Sequence, residues 1–328
     1  MANVTKETKK YRFIDLFAGM GGFRLGFEQA GFECVFSSEW DRHAQNTYFQ
    51  NYGEYPRGDI REIEGSQIPD HEVLLAGFPC QTFSIAGNRQ GFLDETRGTL
   101  FFEVARILKE KRPKAFVLEN VKGLISHDQG RSLEVILGTL RELGYQVKWK
   151  LLNSKDYGVP QNRERIFIVG WTGDQEFQFP EPIPTPVTVA DILEANPEPQ
   201  LFLKPQERAT FAQTAEEPAS PAHKICRLGH IMGTQGQGYR VYSIQGLSQC
   251  LAANTGGKAG QAGLYILPSG EIRTLSPREC ARVQGYPDSY WLPQSPRLAR
   301  KQLGNSVSVP VICALAAALN LMLNVKAE

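Results

Sequence analysis

Apolar residues follow two alternating rhythms along the first half of the chain. A largely apolar run, Arg12–Phe17, ends in glycines and gives way to a helical pattern reaching about Ala30. Cys34–Ser38 and Val73–Ala76 read as further strands, the second running into Gly77-Phe78-Pro79-Cys80. From Thr99 the residues Leu100, Phe101, Val104, Ala105 and Leu108 recur at helical spacing. Ala115–Leu118 returns to strand, and Leu133, Ile136, Leu137, Leu140 and Leu143 predict an amphipathic helix stopped near Gly144. Val147–Leu152 and Ile166–Trp171 are the last clear strands. Such alternation predicts an α/β fold, a mostly parallel sheet with helices on both faces. Ligands of such sheets bind at the carboxyl ends of the strands, where the unusual residues of this chain cluster.

The pattern then changes. Nine of the 42 residues from Pro180 to Pro221 are proline, which predicts a connector rather than more sheet. Residues 185–222 hold six acids against two bases, while 223–275 hold five bases against Glu271 and contain ten glycines. A basic, glycine-rich stretch suits approach to phosphates and groove edges, and equally suits a small β subdomain with incidental charge. Val311 to Leu319 is uninterrupted and apolar but too short to span a bilayer, so it predicts a buried helix with Pro310 in its first turn.

Composition narrows the classes. At 328 residues, 41% hydrophobic and 22% charged, the chain has roughly two domains' worth of ordinary globular sequence. Basic and acidic residues nearly cancel, 36 against 35, so any nucleic-acid affinity must be local. The six cysteines at 34, 80, 226, 250, 280 and 313 offer no compact metal-ligand spacing and no disulfide framework. Few, scattered thiols and the absence of a leader-like apolar N-terminus point to the reducing cytoplasm.

Four groups carry candidate chemistry. Phe17-Ala18-Gly19-Met20-Gly21-Gly22 sits at a strand-to-helix turn, where glycines let a ligand approach the backbone. Arg24 stands where a dinucleotide fingerprint needs its third glycine. Glu39, at the end of the next strand, can accept from both hydroxyls of a ribose, Trp40 offers a face to an adenine, and Asp59 can accept from an exocyclic amine. Singly, each fits an ordinary turn with solvated acids; together they describe a site for an adenosine-bearing cofactor, nicotinamide or methyl donor. Cys80, after a proline at a strand end, reads as a nucleophile rather than a structural thiol, while Cys34 and Cys313 read as buried fillers. Glu119 ends another strand and, partly buried, could stay protonated as a hydrogen-bond donor, or equally serve as a helix cap or an ion-pair partner. Arg163 and Arg165 fall on one side of a strand, where two guanidinium groups can hold a carbonyl oxygen or, alternatively, pair with Glu164.

With these residues in order, the chain resembles the DNA (cytosine-5)-methyltransferase family in its compact bacterial, restriction–modification form. The likeness runs through Asp15-Leu16-Phe17-Ala18-Gly19, Glu39-Trp40-Asp41, Gly58-Asp59-Ile60 and Gly77-Phe78-Pro79-Cys80-Gln81. It continues through Arg97-Gly98-Thr99-Leu100, Glu119-Asn120-Val121, Gln161-x-Arg163-x-Arg165, Arg278-Glu279-Cys280-Ala281-Arg282 and Gln302-x-Gly304-Asn305-Ser306-Val307. The resemblance implies a Rossmann-like, S-adenosylmethionine-dependent methyltransferase fold: a mixed sheet with helices on both faces plus a small loop-rich β target-recognition domain. It places the catalytic and cofactor domain at 1–180, target recognition at 181–275, and the return to the large domain at 276–328. Catalysis falls to Cys80, Glu119, Arg163 and Arg165. S-adenosyl-L-methionine falls to Phe17, Gly19, Gly22, Glu39, Trp40, Asp59, Ile60, Pro79, Leu100 and Asn305, with no metal. Double-stranded DNA falls to Ser84, Arg89, Gln237, Tyr239 and Arg240, while Ala86 departs from the small polar residue similar enzymes insert into DNA. The implied protein is a cytoplasmic monomer that binds no membrane and has room for a cognate restriction endonuclease as partner. An RNA-directed relative and a non-catalytic DNA-binding regulator are the competing readings; a nicotinamide dehydrogenase is more distant.

Overall fold

The computed structural model describes residues 10–78, 100–183, 186–233, 237–253 and 262–325, the side chain of Gln237 excepted. Six strands form the larger sheet: β1 (Arg12–Leu16), β2 (Glu33–Ser38), β3 (Val73–Gly77), β4 (Ala115–Val121), β5 (Gln146–Asn153) and β6 (Glu164–Trp171). Their order is β2-β1-β3-β4-β6-β5. The first four are parallel; β6 runs antiparallel to both β4 and β5. That reversal decides where the chemistry goes. The carboxyl ends of β1, β2, β3 and β4 share one edge with the amino end of β6, so Arg165 lies in register with Val121.

Helices cover both faces, as the alternation predicts. On one face Ile14, Leu74, Phe116 and Leu118 pack under α3 (Leu100–Lys111) and α4 (Arg131–Glu142). On the other, Phe13, Leu75, Val117 and Val169 pack under α1 (Gly22–Gln29) and α8 (Val309–Asn324). Strand neighbours such as Phe13 and Ile14 point to opposite faces, so every central strand is buried twice and reads as an apolar run. Helices α1 and α8 meet closely at Gly26, where a Cβ would lie 2.6 Å from Ile312. Counted as one run, 296–324 is long and apolar enough to cross a membrane, but half of its most apolar stretch is buried in the protein. Helix α2 (Arg42–Tyr52), which the periodicity does not announce, starts on an Asp41 side chain accepting from the His43 and Ala44 N–H groups.

The smaller sheet is built from short pieces after α5 (Pro205–Arg208): β7 (Phe211–Gln213), β8 (Arg227–Ile231), β9 (Arg240–Ser243), β10 (Leu264–Ile266) and β11 (Ile272–Thr274). Their order is β11-β10-β9-β8-β7, with β9 and β10 parallel. The proline-rich entry differs from the expected loose connector. Val189 and Ile192 are buried, and the N–H groups of Val189 and Ala190 donate to Gly246 and Ile244 carbonyls. A few apolar side chains and two backbone bonds thus fix a segment whose composition suggests only a link. The chain then returns through α6 (Pro277–Val283) and α7 (Pro296–Asn305) to α8.

Candidate active site

A cleft of about 570 Å³ opens at the shared strand edge. Its first wall is the turn after β1. Phe17, Gly19 and Gly21 all have positive φ, at 58°, 56° and 90°. For Phe17 this left-handed conformation costs on the order of 1 kcal/mol and is held by tertiary contacts. The glycines divide their work. A Cβ at Gly19 meets nothing closer than 4.0 Å, so this is where the backbone lies open to the cleft. A Cβ at Gly21 would fall 2.4 Å from the Tyr52 ring, and one at Gly22 2.5 Å from the Tyr286 hydroxyl. Those two positions are glycine because aromatic side chains pack behind them. Tyr52 donates to the Gly21 carbonyl at 2.7 Å, and Tyr290 donates to that of Met20.

Glu39 stands at the end of β2, buried, and its two oxygens accept from the Gly19 and Asp41 N–H groups at 2.8 Å each. Burial pushes its carboxyl above the usual range, and these two bonds pull it back. The carboxylate is therefore aimed before any ligand arrives. Trp40, 71% exposed, presents its ring beside it, and Leu100, Asn305, Phe17 and Gly22 also line the cleft. Asp59 and Ile60 do not. Asp59 caps a 3-10 turn, accepts from the Arg61 N–H at 3.0 Å and pairs with the Arg61 side chain, which holds its carboxyl below the usual range. Ile60 is buried beneath α3.

The opposite wall is the β4–β6 edge. Arg165 Nε lies 3.1 Å from Glu119 Oε1. The glutamate expected as a hydrogen-bond donor thus stands beside a guanidinium. Glu164 pairs with Lys122, not with either arginine. Arg163 precedes β6 and is almost wholly buried. Its guanidinium borders the cleft and donates to the carbonyls of Leu251, Gly304 and Ser306. Asn120, a motif residue with no role assigned above, donates from Nδ2 to the Phe78 carbonyl at 2.9 Å and so anchors Phe78, two residues before Cys80. Cys250, Leu251, Ala252, Ala253 and Lys301 also line the cleft. No pattern around 250–253 announces them; Lys301 sits one residue before a quoted motif.

Pro79, Cys80, Ser84, Ala86 and Arg89 lie outside the described residues, as does the Gln237 side chain. Tyr239 packs on the small sheet's core and Arg240, half-buried, opens β9 opposite His230. Neither lines the cleft. Cys34 and Cys313 are half-buried rather than fully buried. Among the described residues no group of three or more His, Cys, Asp or Glu side chains could hold a metal ion.

A twisted sheet with one reversed strand, a glycine turn facing an aimed carboxylate, and an acid–guanidinium pair across the cleft together define an S-adenosylmethionine-dependent methyltransferase fold. The comparisons agree. Dnmt2 of S. pombe superposes with a TM-score of 0.75 over 96% of this chain and all of its own at 19% identity. EhMeth of Entamoeba histolytica gives 0.74 over 97% and 100% at 17% identity. Residues 11–320 match the model of the C-5 cytosine-specific DNA methylases. The type II methyltransferase M.HhaI of Haemophilus parahaemolyticus is 47% identical over 324 residues, 98% of each chain. M.HpaII of Haemophilus parainfluenzae is 46% identical over 93% of this chain and 87% of its own length. The chain belongs to the C-5 cytosine-specific DNA methylase family and is a DNA (cytosine-5)-methyltransferase.

Proposed function

We propose that the enzyme methylates carbon 5 of a cytosine flipped out of duplex DNA, as the modification partner of a restriction–modification system. The observation that carries this reading is one cleft holding the Gly19–Glu39–Trp40 cradle on one wall and the Glu119–Arg165 pair on the other. Open backbone at Gly19, a pre-aimed carboxylate and an exposed indole suit the ribose and adenine of S-adenosyl-L-methionine. When bound there, it supplies a methyl group on a positively charged sulfur.

The chain's own residues do the rest. Carbon 5 of cytosine is a weak nucleophile, so the Cys80 thiolate adds at carbon 6 and makes the ring an enamine. Glu119 faces N3 and the exocyclic amine, and Arg165 holds the O2 oxygen, stabilising charge as the adduct forms. After methylation, loss of the carbon-5 proton to water and expulsion of the Cys80 sulfur restore the enzyme. Flipping costs a few kcal/mol of unstacking and unpairing. Residues 181–275, with Gln237, Tyr239 and Arg240, serve target recognition, while Ser84 and Arg89 contact the strand beside the flipped base. The large domain comprises 1–180 and 276–328.

Incorporation of tritiated methyl groups into plasmid DNA and into tRNA tests the substrate: label in DNA alone supports the reading, and label in tRNA alone overturns it. Cys80→Ala is expected to abolish incorporation while DNA binding survives. Full activity in that variant removes the proposed nucleophile.

A further inference from the structure

Residues 248–253, on the recognition side, are tied to the cofactor wall through buried polar groups rather than through a free hinge. Arg163 Nη1 donates to the Leu251 carbonyl at 3.3 Å and to the Cys250 sulfur at 3.4 Å. The same guanidinium donates to the Gly304 carbonyl at 3.4 Å and to the Ser306 carbonyl at 2.5 Å. Gln161, fully buried, repeats the pattern: its Oε1 accepts from the Leu251 N–H at 3.0 Å while its Nε2 donates to Val283 and Gln284. Gln284 in turn donates to the Leu303 carbonyl at 2.8 Å. At Gly304 the two segments touch backbone to backbone, since a Cβ there would lie 2.6 Å from the Ala253 nitrogen. Arg165, which pairs with Glu119, reaches the same Cys250 sulfur at 3.8 Å.

We infer that Arg163 is a positioning residue that couples the two ligands: the seam it makes between Cys250–Leu251 and Gly304–Ser306 transmits DNA engagement to the cofactor wall, and cofactor binding to the DNA-facing segment. This rests on the substrate and donor proposed above. A planar guanidinium with several fixed donors can hold carbonyls of both segments at once; a lysine ammonium on a flexible stem cannot reproduce that fork. A shift of 250–253 therefore strains the contacts that fix 304–306, and the coupling must be reciprocal.

Equilibrium dialysis of tritiated S-adenosyl-L-homocysteine, with and without an excess of plasmid DNA lacking cytosine methylation, reads the coupling. The wild-type protein is expected to bind the nucleoside about tenfold more tightly with DNA present. In Arg163→Lys and in Gly304→Ala, checked for folding by thermal melting, the ratio is expected to fall below about threefold. Either folded variant retaining the full ratio overturns the inference, and so does a wild-type ratio of one, which needs no variant. If the wild-type protein binds no S-adenosyl-L-homocysteine at all, the donor assignment itself fails.

Discussion

The two sheets of this enzyme are stabilised by different means. The larger one has strands of five to eight residues, buried on both faces by α1, α3, α4 and α8. Its stability comes from apolar area, and Glu39 and Glu119 stand at or beside strand ends, where they line the cleft. The smaller sheet has strands of three to five residues and a small buried cluster around Leu203, Ile231, Val241, Leu264 and Ile272. It leans instead on polar anchors to the rest of the chain. Arg273 and Glu279, 1% and 0% exposed at their side chains, pair at 2.6 Å, and Glu279 also accepts from the Glu194 and Ser276 N–H groups. The smaller sheet is thus specified by a few buried hydrogen-bonded charges and the larger one by periodicity.

The sharpest break of that contrast is Glu279→Ala, which leaves Arg273 charged and buried. We expect a loss of about 3–5 kcal/mol, read as a lowered denaturation midpoint, with protease cleavage appearing first within 181–275. Glu119→Gln acts on the other sheet and should leave stability near wild type while lowering kcat by roughly 10²–10³-fold in single-turnover methylation. Glu39→Ala should weaken S-adenosyl-L-homocysteine binding by about 10- to 100-fold without changing which DNA sites are methylated; altered site choice would contradict its place on the cofactor wall.

A further prediction concerns Asp15. It lies near the end of β1, fully buried, and among the described residues neither carboxylate oxygen has a hydrogen-bond partner at full geometry. Burial pushes its carboxyl up to about 8. The folded state therefore holds a proton that the unfolded state releases, so stability is lost as pH rises from the ordinary carboxylate range to about 8. Asp15→Asn has no such loss, and its stability relative to wild type should rise by at least about 1 kcal/mol between pH 5 and pH 8 in chemical denaturation. A constant difference across that range would mean that Asp15 is ionised throughout.

Much of the larger sheet is legible because its strands and helices announce themselves locally. Val73, Leu75, Val117 and Phe27 need no knowledge of distant residues to be placed inside. The cleft residues of the motifs, Glu39, Glu119 and Arg165, are legible because they follow such strands directly. What stays hidden depends on contacts far apart in the chain. Nothing near Cys250 signals its meeting with Arg163 and Arg165, 87 and 85 residues away. The pairing of Asp59 with Arg61 is local, yet whether it faces the cleft depends on how 59–62 folds back beneath α3. The glycines at 21 and 22 read as ligand-facing, whereas Tyr52 and Tyr286, distant in sequence, are what exclude a side chain there.

In the covalent step proposed above, the sulfur of Cys80 bonds to carbon 6 of the cytosine during turnover. Duplex oligonucleotides carrying 5-fluorocytosine at the methylated position cannot lose the carbon-5 substituent as a proton, so the adduct has no exit. Incubated with enzyme and S-adenosyl-L-methionine, they should give a denaturation-resistant protein–DNA band that maps to the peptide containing Cys80 and is absent from Cys80→Ala. Complete turnover with no such band would rule out a covalent Cys80 adduct.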